Sequence, residues 1–221
     1  LTPLRGCGQS SSFADRSRAG PTTPDGDGSG PRTKSMAGDP QRYAGPMIAL
    51  HWLTAALIAV GFPLGLWMVG LPFGPPKLRM YAWHKWLGLT VLAFSFVRLG
   101  WRVAGGVPAP WPLPAWQRRA AAWTHALLYA ALFAIPLSGW LLSSATGVSV
   151  VWLGLVPLPD LVARDKALAA LLRSIHGGLN YALAALVFVH VGAAARHHFI
   201  DHDGVLGRML ARGPSSRGST R

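Results

Sequence analysis

Five histidines, His51, His84, His125, His176 and His190, stand in stretches of sequence that carry almost no charge. A polar side chain in hydrocarbon is costly unless a partner satisfies it, so each imidazole is a candidate for function. Imidazole nitrogen is also the commonest protein ligand for a transition metal. Two of the five, His176 and His190, fall fourteen residues apart in SIHGGLNYALAALVFVHVG. On a helix, fourteen steps rise ~21 Å and return to within about 40° of the same face. One helix face therefore offers an imidazole near each side of a layer as thick as a membrane.

Four apolar runs must position these side chains, at about 47–70, 82–103, 121–145 and 175–199. Each reaches the roughly 20 residues that cross a ~30 Å hydrocarbon layer as helix. Helix also satisfies every backbone group within its own segment, which an open sheet in lipid does not. The sequence thus predicts an all-α membrane protein, a bundle of four transmembrane helices. A further apolar run of about eleven residues, within TGVSVVWLGLVPLPDL, is too short to cross and is expected to dip into the outer interface. Trp52, Trp67, Trp83, Trp86, Trp101, Trp123 and Trp152 gather at the ends of the runs, as aromatic belts do.

The net charge of +13 is a matter of topology rather than of nucleic-acid binding. Fifteen of the 21 Lys and Arg lie in the N-terminal tail, the second connection and the C-terminal end. The remaining six are Lys77, Arg79, Lys85, Arg164, Lys166 and Arg173, on the other side of the predicted spans. By the positive-inside rule both termini are expected in the cytoplasm. Arg98 and Arg102, one turn apart at the inner end of the second run, are expected to snorkel to headgroups, with pairing to a cofactor carboxylate as the alternative.

With that orientation the histidines sort by depth. His84 and His176 lie on the outer side, and His51, His125 and His190 on the inner. His176 can pair with His84, and His190 with either His51 or His125. Side chains on facing helices commonly build such sites, and two imidazole pairs at two depths suit two haems stacked across the bilayer. Zinc fits less well, because a structural zinc site takes four ligands. The single cysteine, Cys7, and the absence of CxxCH mean that any haem is held by coordination alone. Gly88, Gly139, Gly177, Gly178 and Gly192 lie near the histidines and would leave helix surface free for a flat porphyrin.

The stretches HWLTAALIAVGFPLG, HKWLGLTVLAFSFVRLGWR, THALLYAALFAIPLSGW and HVGAAARHHFIDHDGVLGRML, in this order, resemble the bacterial cytochrome b561 family of four-helix, di-haem membrane proteins. The resemblance spans about 42–212. It implies two non-covalent haem b groups, with His51 and His190 as axial ligands of the cytoplasmic one and His84 and His176 of the periplasmic one. It implies too that His125 is a non-ligand, near the inner haem or in a quinone pocket. The chain departs from its relatives at His176-Gly177-Gly178, where an acidic or polar neighbour is common.

The family implies electron transfer in the inner membrane. The expected route runs from superoxide at the periplasmic side, attracted by Lys77, Arg79 and Lys85, to ubiquinone. The rival is an electron-transfer and anchor subunit for a hydrogenase or dehydrogenase, fed by a partner protein. A histidine-relay transporter is disfavoured, because no inverted repeat of broken helices is seen. His197, His198 and His202, beside Arg196, Asp201 and Asp203, read as a solvated helix end, with a quinone or proton-entry site as the sharper alternative. Residues 1–41 are expected to be a disordered basic tail, 42–212 the membrane domain and 213–221 a second disordered tail. Met36 is the expected native start, with the residues before it a misassigned extension.

Overall fold

The computed structural model describes residues 43–104, 113–203 and 205–210. The two expected tails and Met36 lie outside the described residues.

Four helices follow one another: α1 (Gly45–Gly70), α2 (Pro75–Val103), α3 (Ala115–Thr146) and α4 (Lys166–Arg196). All four are long and apolar enough to cross a membrane. α1 packs on α2, α2 on α3 and α3 on α4. The edge-on pair Phe62 and Tyr181, with ring centroids 6.2 Å apart, joins α1 to α4. Large apolar side chains face outward in number: Phe188 is 81% exposed and Trp67 60%. In water such a surface is a liability; in a bilayer it is the lipid face. Between the helices the buried polar residues are small. Thr54, Ser95 and Ser144 donate to the carbonyls of Leu50, Val91 and Trp140 on their own helices, so they let backbones approach without an unsatisfied hydroxyl.

The helices extend past the predicted apolar runs. α2 begins at Pro75 rather than near 82, and α4 at Lys166 rather than near 175. Asp165 caps α4, its Oδ1 accepting from Ala167 N at 2.7 Å and Leu168 N at 3.0 Å. The first turns of α4 carry Lys166 and Arg173, charges that take them out of a count of consecutive apolar residues.

The short apolar run folds as a hairpin, β1 (Val150–Trp152) against β2 (Val156–Leu158). Leu153 and Gly154 both have positive φ, 54° and 72°, the conformation of the tight hairpin turn that matches strand twist. Tryptophans fasten this hairpin to the bundle. Trp86 Nε1 donates to Val151 O at 2.7 Å, Trp152 Nε1 to Thr90 Oγ1 at 3.3 Å and Trp140 Nε1 to Pro159 O at 3.1 Å. Two of the predicted belt residues, Trp86 and Trp152, thus act as pins at what we term the hairpin end of the bundle. The opposite end, where α1 begins and α4 finishes, is the tail end.

Candidate di-histidine centres

At the hairpin end α2 contributes His84 and α4 contributes His176, with ring centroids 6.2 Å apart and planes at 85°. Each ring is fixed from behind by a carbonyl of the neighbouring helix. His84 Nδ1 donates to Gly61 O at 3.1 Å, and His176 Nδ1 to Ile135 O at 3.1 Å. Ser138 Oγ lies 3.0 Å from His176 Nδ1 and donates to Ile135 O at 2.8 Å. A carbonyl only accepts, so each Nδ1 carries the proton and each Nε2 keeps its lone pair for a metal, the usual arrangement behind a ligating histidine.

These rings reach the carbonyls because the opposing helix has no side chain in the way. A Cβ added at Gly65 would lie 2.9 Å from His84 Cε1, and one at Gly139 would lie 3.0 Å from His176 Cε1. Both glycines follow a proline inside the helix, Pro63 in α1 and Pro136 in α3. By contrast a Cβ at Gly88, Gly177, Gly178 or Gly192 would meet nothing within 4 Å, so these are not helix contact points. Lys85 Nζ reaches toward Val148 O at 3.5 Å. Lys77 Nζ donates to Val69 O and Leu71 O at 3.0 and 2.7 Å, capping the end of α1.

At the tail end three imidazoles gather. His190 of α4 lies 6.3 Å from His51 of α1 and 5.2 Å from His125 of α3, centroid to centroid. His125 Nδ1 donates to Ala121 O of its own helix at 2.6 Å, and the residue is exposed. Arg98 is turned inward rather than snorkelling, which corrects the expectation for that residue. Its Nη2 lies 3.4 Å from His51 Nδ1 and its guanidinium 5.6 Å from the centre of the Tyr129 ring. The reason is local: residue 98 shares the buried face of α2 with Ser95 and Val91, whereas Arg102 is exposed at the helix end.

The residues fit a bis-imidazole metal centre at both ends. With about 2.0–2.1 Å from imidazole nitrogen to metal and about 1.1 Å from nitrogen to ring centre, two rings on opposite sides of one metal would stand ~6.3 Å apart. His84 with His176, at 6.2 Å, and His51 with His190, at 6.3 Å, match this separation, while His125 with His190, at 5.2 Å, falls short of it.

The two hairpins α1–α2 and α3–α4 repeat one design. His51, Gly61 and Gly65 of α1 are followed 74 residues on by His125, Ile135 and Gly139 of α3. His84 and Arg98 of α2 are followed 92 residues on by His176 and His190 of α4. The second offset is larger because the α3–α4 connection carries the β1–β2 hairpin. Reading the sequence by hydropathy missed Gly65, Ser138 and Tyr129; the paired offsets are the signal that leads to Gly65.

Beyond α4 the chain forms a π-helical turn, His197–Asp201, and His202 takes the left-handed conformation with φ 47°. This folds Asp203 back onto His197 Nδ1, while Arg196 pairs with Asp201 at 3.5 Å. The helix end thus carries a linked cluster of Arg196, His197, Asp201 and Asp203, with the Arg196 side chain 58% exposed.

The family model of prokaryotic cytochrome b561 matches residues 42–212. The chain is similar to cytochrome b561 homolog 2 of Escherichia coli (strain K12), with 36% identity over 193 residues, 83% of this chain and 99% of that protein. Cytochrome b561 homolog 1 of the same organism is 32% identical over 177 residues, 77% and 98% of the two chains. A probable superoxide oxidase CybB of Yersinia pestis is 26% identical over 184 residues, 80% and 99% of the two chains.

Proposed function

This chain belongs to the prokaryotic cytochrome b561 family, and from that premise we propose that it carries electrons from superoxide at the periplasmic face to ubiquinone through two haem b groups. Membership makes it a bacterial membrane protein of electron transfer with b-type haem. His84 and His176 ligate the haem at the hairpin end, and His51 and His190 the haem at the tail end. The observation that carries this assignment is the pair of imidazole separations, 6.2 and 6.3 Å, at two levels of one bundle. Bound there, a haem would supply one-electron redox chemistry, and two imidazole ligands to its iron would favour electron transfer over oxygen binding.

The distribution of Lys and Arg supports a periplasmic hairpin end and cytoplasmic termini. Lys77, Arg79, Lys85, Arg164, Lys166 and Arg173 then lie on the side where an anion arrives, and their field raises its encounter rate. The superoxide reading rests further on the similarity to a protein named as a probable superoxide oxidase. Two superoxide anions yield two molecules of dioxygen and two electrons; with two protons these convert one ubiquinone to ubiquinol.

A pulse of superoxide delivered to the purified protein, followed at the haem bands, is expected to reduce haem directly, with reoxidation once ubiquinone is added. Reduction that occurs only after a partner dehydrogenase or hydrogenase is supplied would replace this reading with that of an electron-transfer subunit. A smaller effect is expected at Ser138. Ser138→Ala leaves Ile135 O as acceptor for His176 Nδ1, so both haems are retained. The imidazole becomes less basic, and the midpoint potential of one haem rises in a redox titration.

A further inference from the structure

We infer that Arg98 is the carboxylate-binding subsite of the tail-end centre, pairing with a propionate of the haem held there and keeping that haem's midpoint potential high. The inference rests on the assignment of His51 and His190 as ligands of that haem.

Arg98 lies among helices that offer it no counter-charge. Every acidic residue of the chain is an aspartate, at 15, 25, 27, 39, 160, 165, 201 and 203, and none falls within α1, α2, α3 or α4. The ion pairs among the described residues involve Arg196 and His197, not Arg98. The Nε of Arg98 is buried with no hydrogen-bond partner. The side chain is half-buried, its guanidinium stays charged, and the part held out of water calls for a paired, hydrogen-bonding partner. Its contacts here are the face of Tyr129 and the Nδ1 of His51 at 3.4 Å, neither of which neutralises it.

The contact with His51 cannot persist once that ring ligates through Nε2. Nδ1 then holds the ring proton, as His84 and His176 already do, and two donors face each other. Arg98 needs an acceptor, and the fork of a guanidinium matches a carboxylate in two parallel hydrogen bonds. The repeat places it where such an acceptor arrives. Arg98 follows His84 by fourteen residues as His190 follows His176, so it stands in the first hairpin at the level that a ligand occupies in the second. Haem b carries two propionate carboxylates. A cation beside them opposes the extra positive charge of the ferric form, which favours the reduced state.

Redox titration of the full-length holoprotein, read in the visible and by EPR, tests this with Arg98→Gln and Arg98→Lys. The tail-end component is identified as the one that His190→Ala removes; two haems remaining in His190→Ala would defeat the ligand assignment itself. In Arg98→Gln the reduction equilibrium of that component is expected to fall tenfold or more, about 59 mV for one electron, with the other component unmoved. Arg98→Lys keeps the charge and is expected to keep most of the potential. Should Arg98→Gln fail to hold the tail-end haem, its retention in Arg98→Lys supports the same conclusion. In protein reconstituted with haem dimethyl ester, which has no carboxylates to pair with a guanidinium, the native protein and Arg98→Gln are expected to retain the tail-end haem equally. An unmoved tail-end potential in Arg98→Gln with both haems present overturns the inference. So does a loss of the ester haem in Arg98→Gln as large as the loss of haem b, or loss of the tail-end haem in Arg98→Lys as well as in Arg98→Gln.

Discussion

His84→Ala and His176→Ala are each expected to purify with one haem b in place of two, and so are His51→Ala and His190→Ala, whereas His125→Ala keeps both. The two pairs share no histidine and sit at opposite ends of the bundle, so loss at one leaves the other. The two residues on α4 are separated by fourteen positions, ~21 Å along the axis. Removing one of two facing imidazoles also leaves its partner's Nε2 unpaired among apolar helices, which adds to the loss. The measurement is haem per polypeptide by pyridine haemochrome, with the EPR spectrum to show which low-spin signal disappears. His125 is the informative control. It lies nearer to His190 than His51 does, at 5.2 Å against 6.3 Å, too near for two rings on opposite sides of one iron. Full haem content in the combined His176→Ala and His190→Ala protein would refute the assignment, and loss of a haem in His125→Ala would move the ligand from α1 to α3.

Gly65→Ala and Gly139→Ala are expected to deplete the hairpin-end haem several-fold while the tail-end haem stays in place. In an ordinary helix interior Ala is favoured over Gly by roughly 0.5–1 kcal/mol. Here the added methyl would stand 2.9 Å from His84 Cε1, or 3.0 Å from His176 Cε1, inside van der Waals contact. The ring can yield only by giving up the carbonyl that orients it, Gly61 O or Ile135 O. Overpacking of this kind typically costs about 1–3 kcal/mol, so the clash outweighs the gain in helix propensity. Gly100→Ala, where a Cβ meets nothing within 4 Å, provides the comparison and is expected to keep both haems. Equal haem content in Gly65→Ala and Gly100→Ala, with unchanged spectra, would show that the cradle does not set ligand geometry.

Much of the bundle can be read along the chain because the properties that define it are local. Twenty apolar residues in a row specify a span whatever surrounds them, and the interval between His176 and His190 specifies one face and two depths. Local patterns failed where an element departs from the hydrocarbon. The start of α4 lies outside the apolar run because a cap, Asp165, rather than hydropathy determines it. The run around Trp152 became a hairpin because Leu153 and Gly154 turn the chain and Trp86 and Trp140, distant in sequence, receive it.

The sequence by itself determined four membrane helices, the levels of the five histidines along them and an asymmetry of charge between their ends, since each follows from residues that are neighbours along one helix. Only the tertiary structure decided which imidazoles face each other, that Gly65 and Gly139 admit His84 and His176 to a carbonyl, and that Arg98 points inward. Those are distances between helices. Rotation of one helix against the next sets them, and a hydropathy pattern that is apolar on every face leaves that rotation open until the bundle packs.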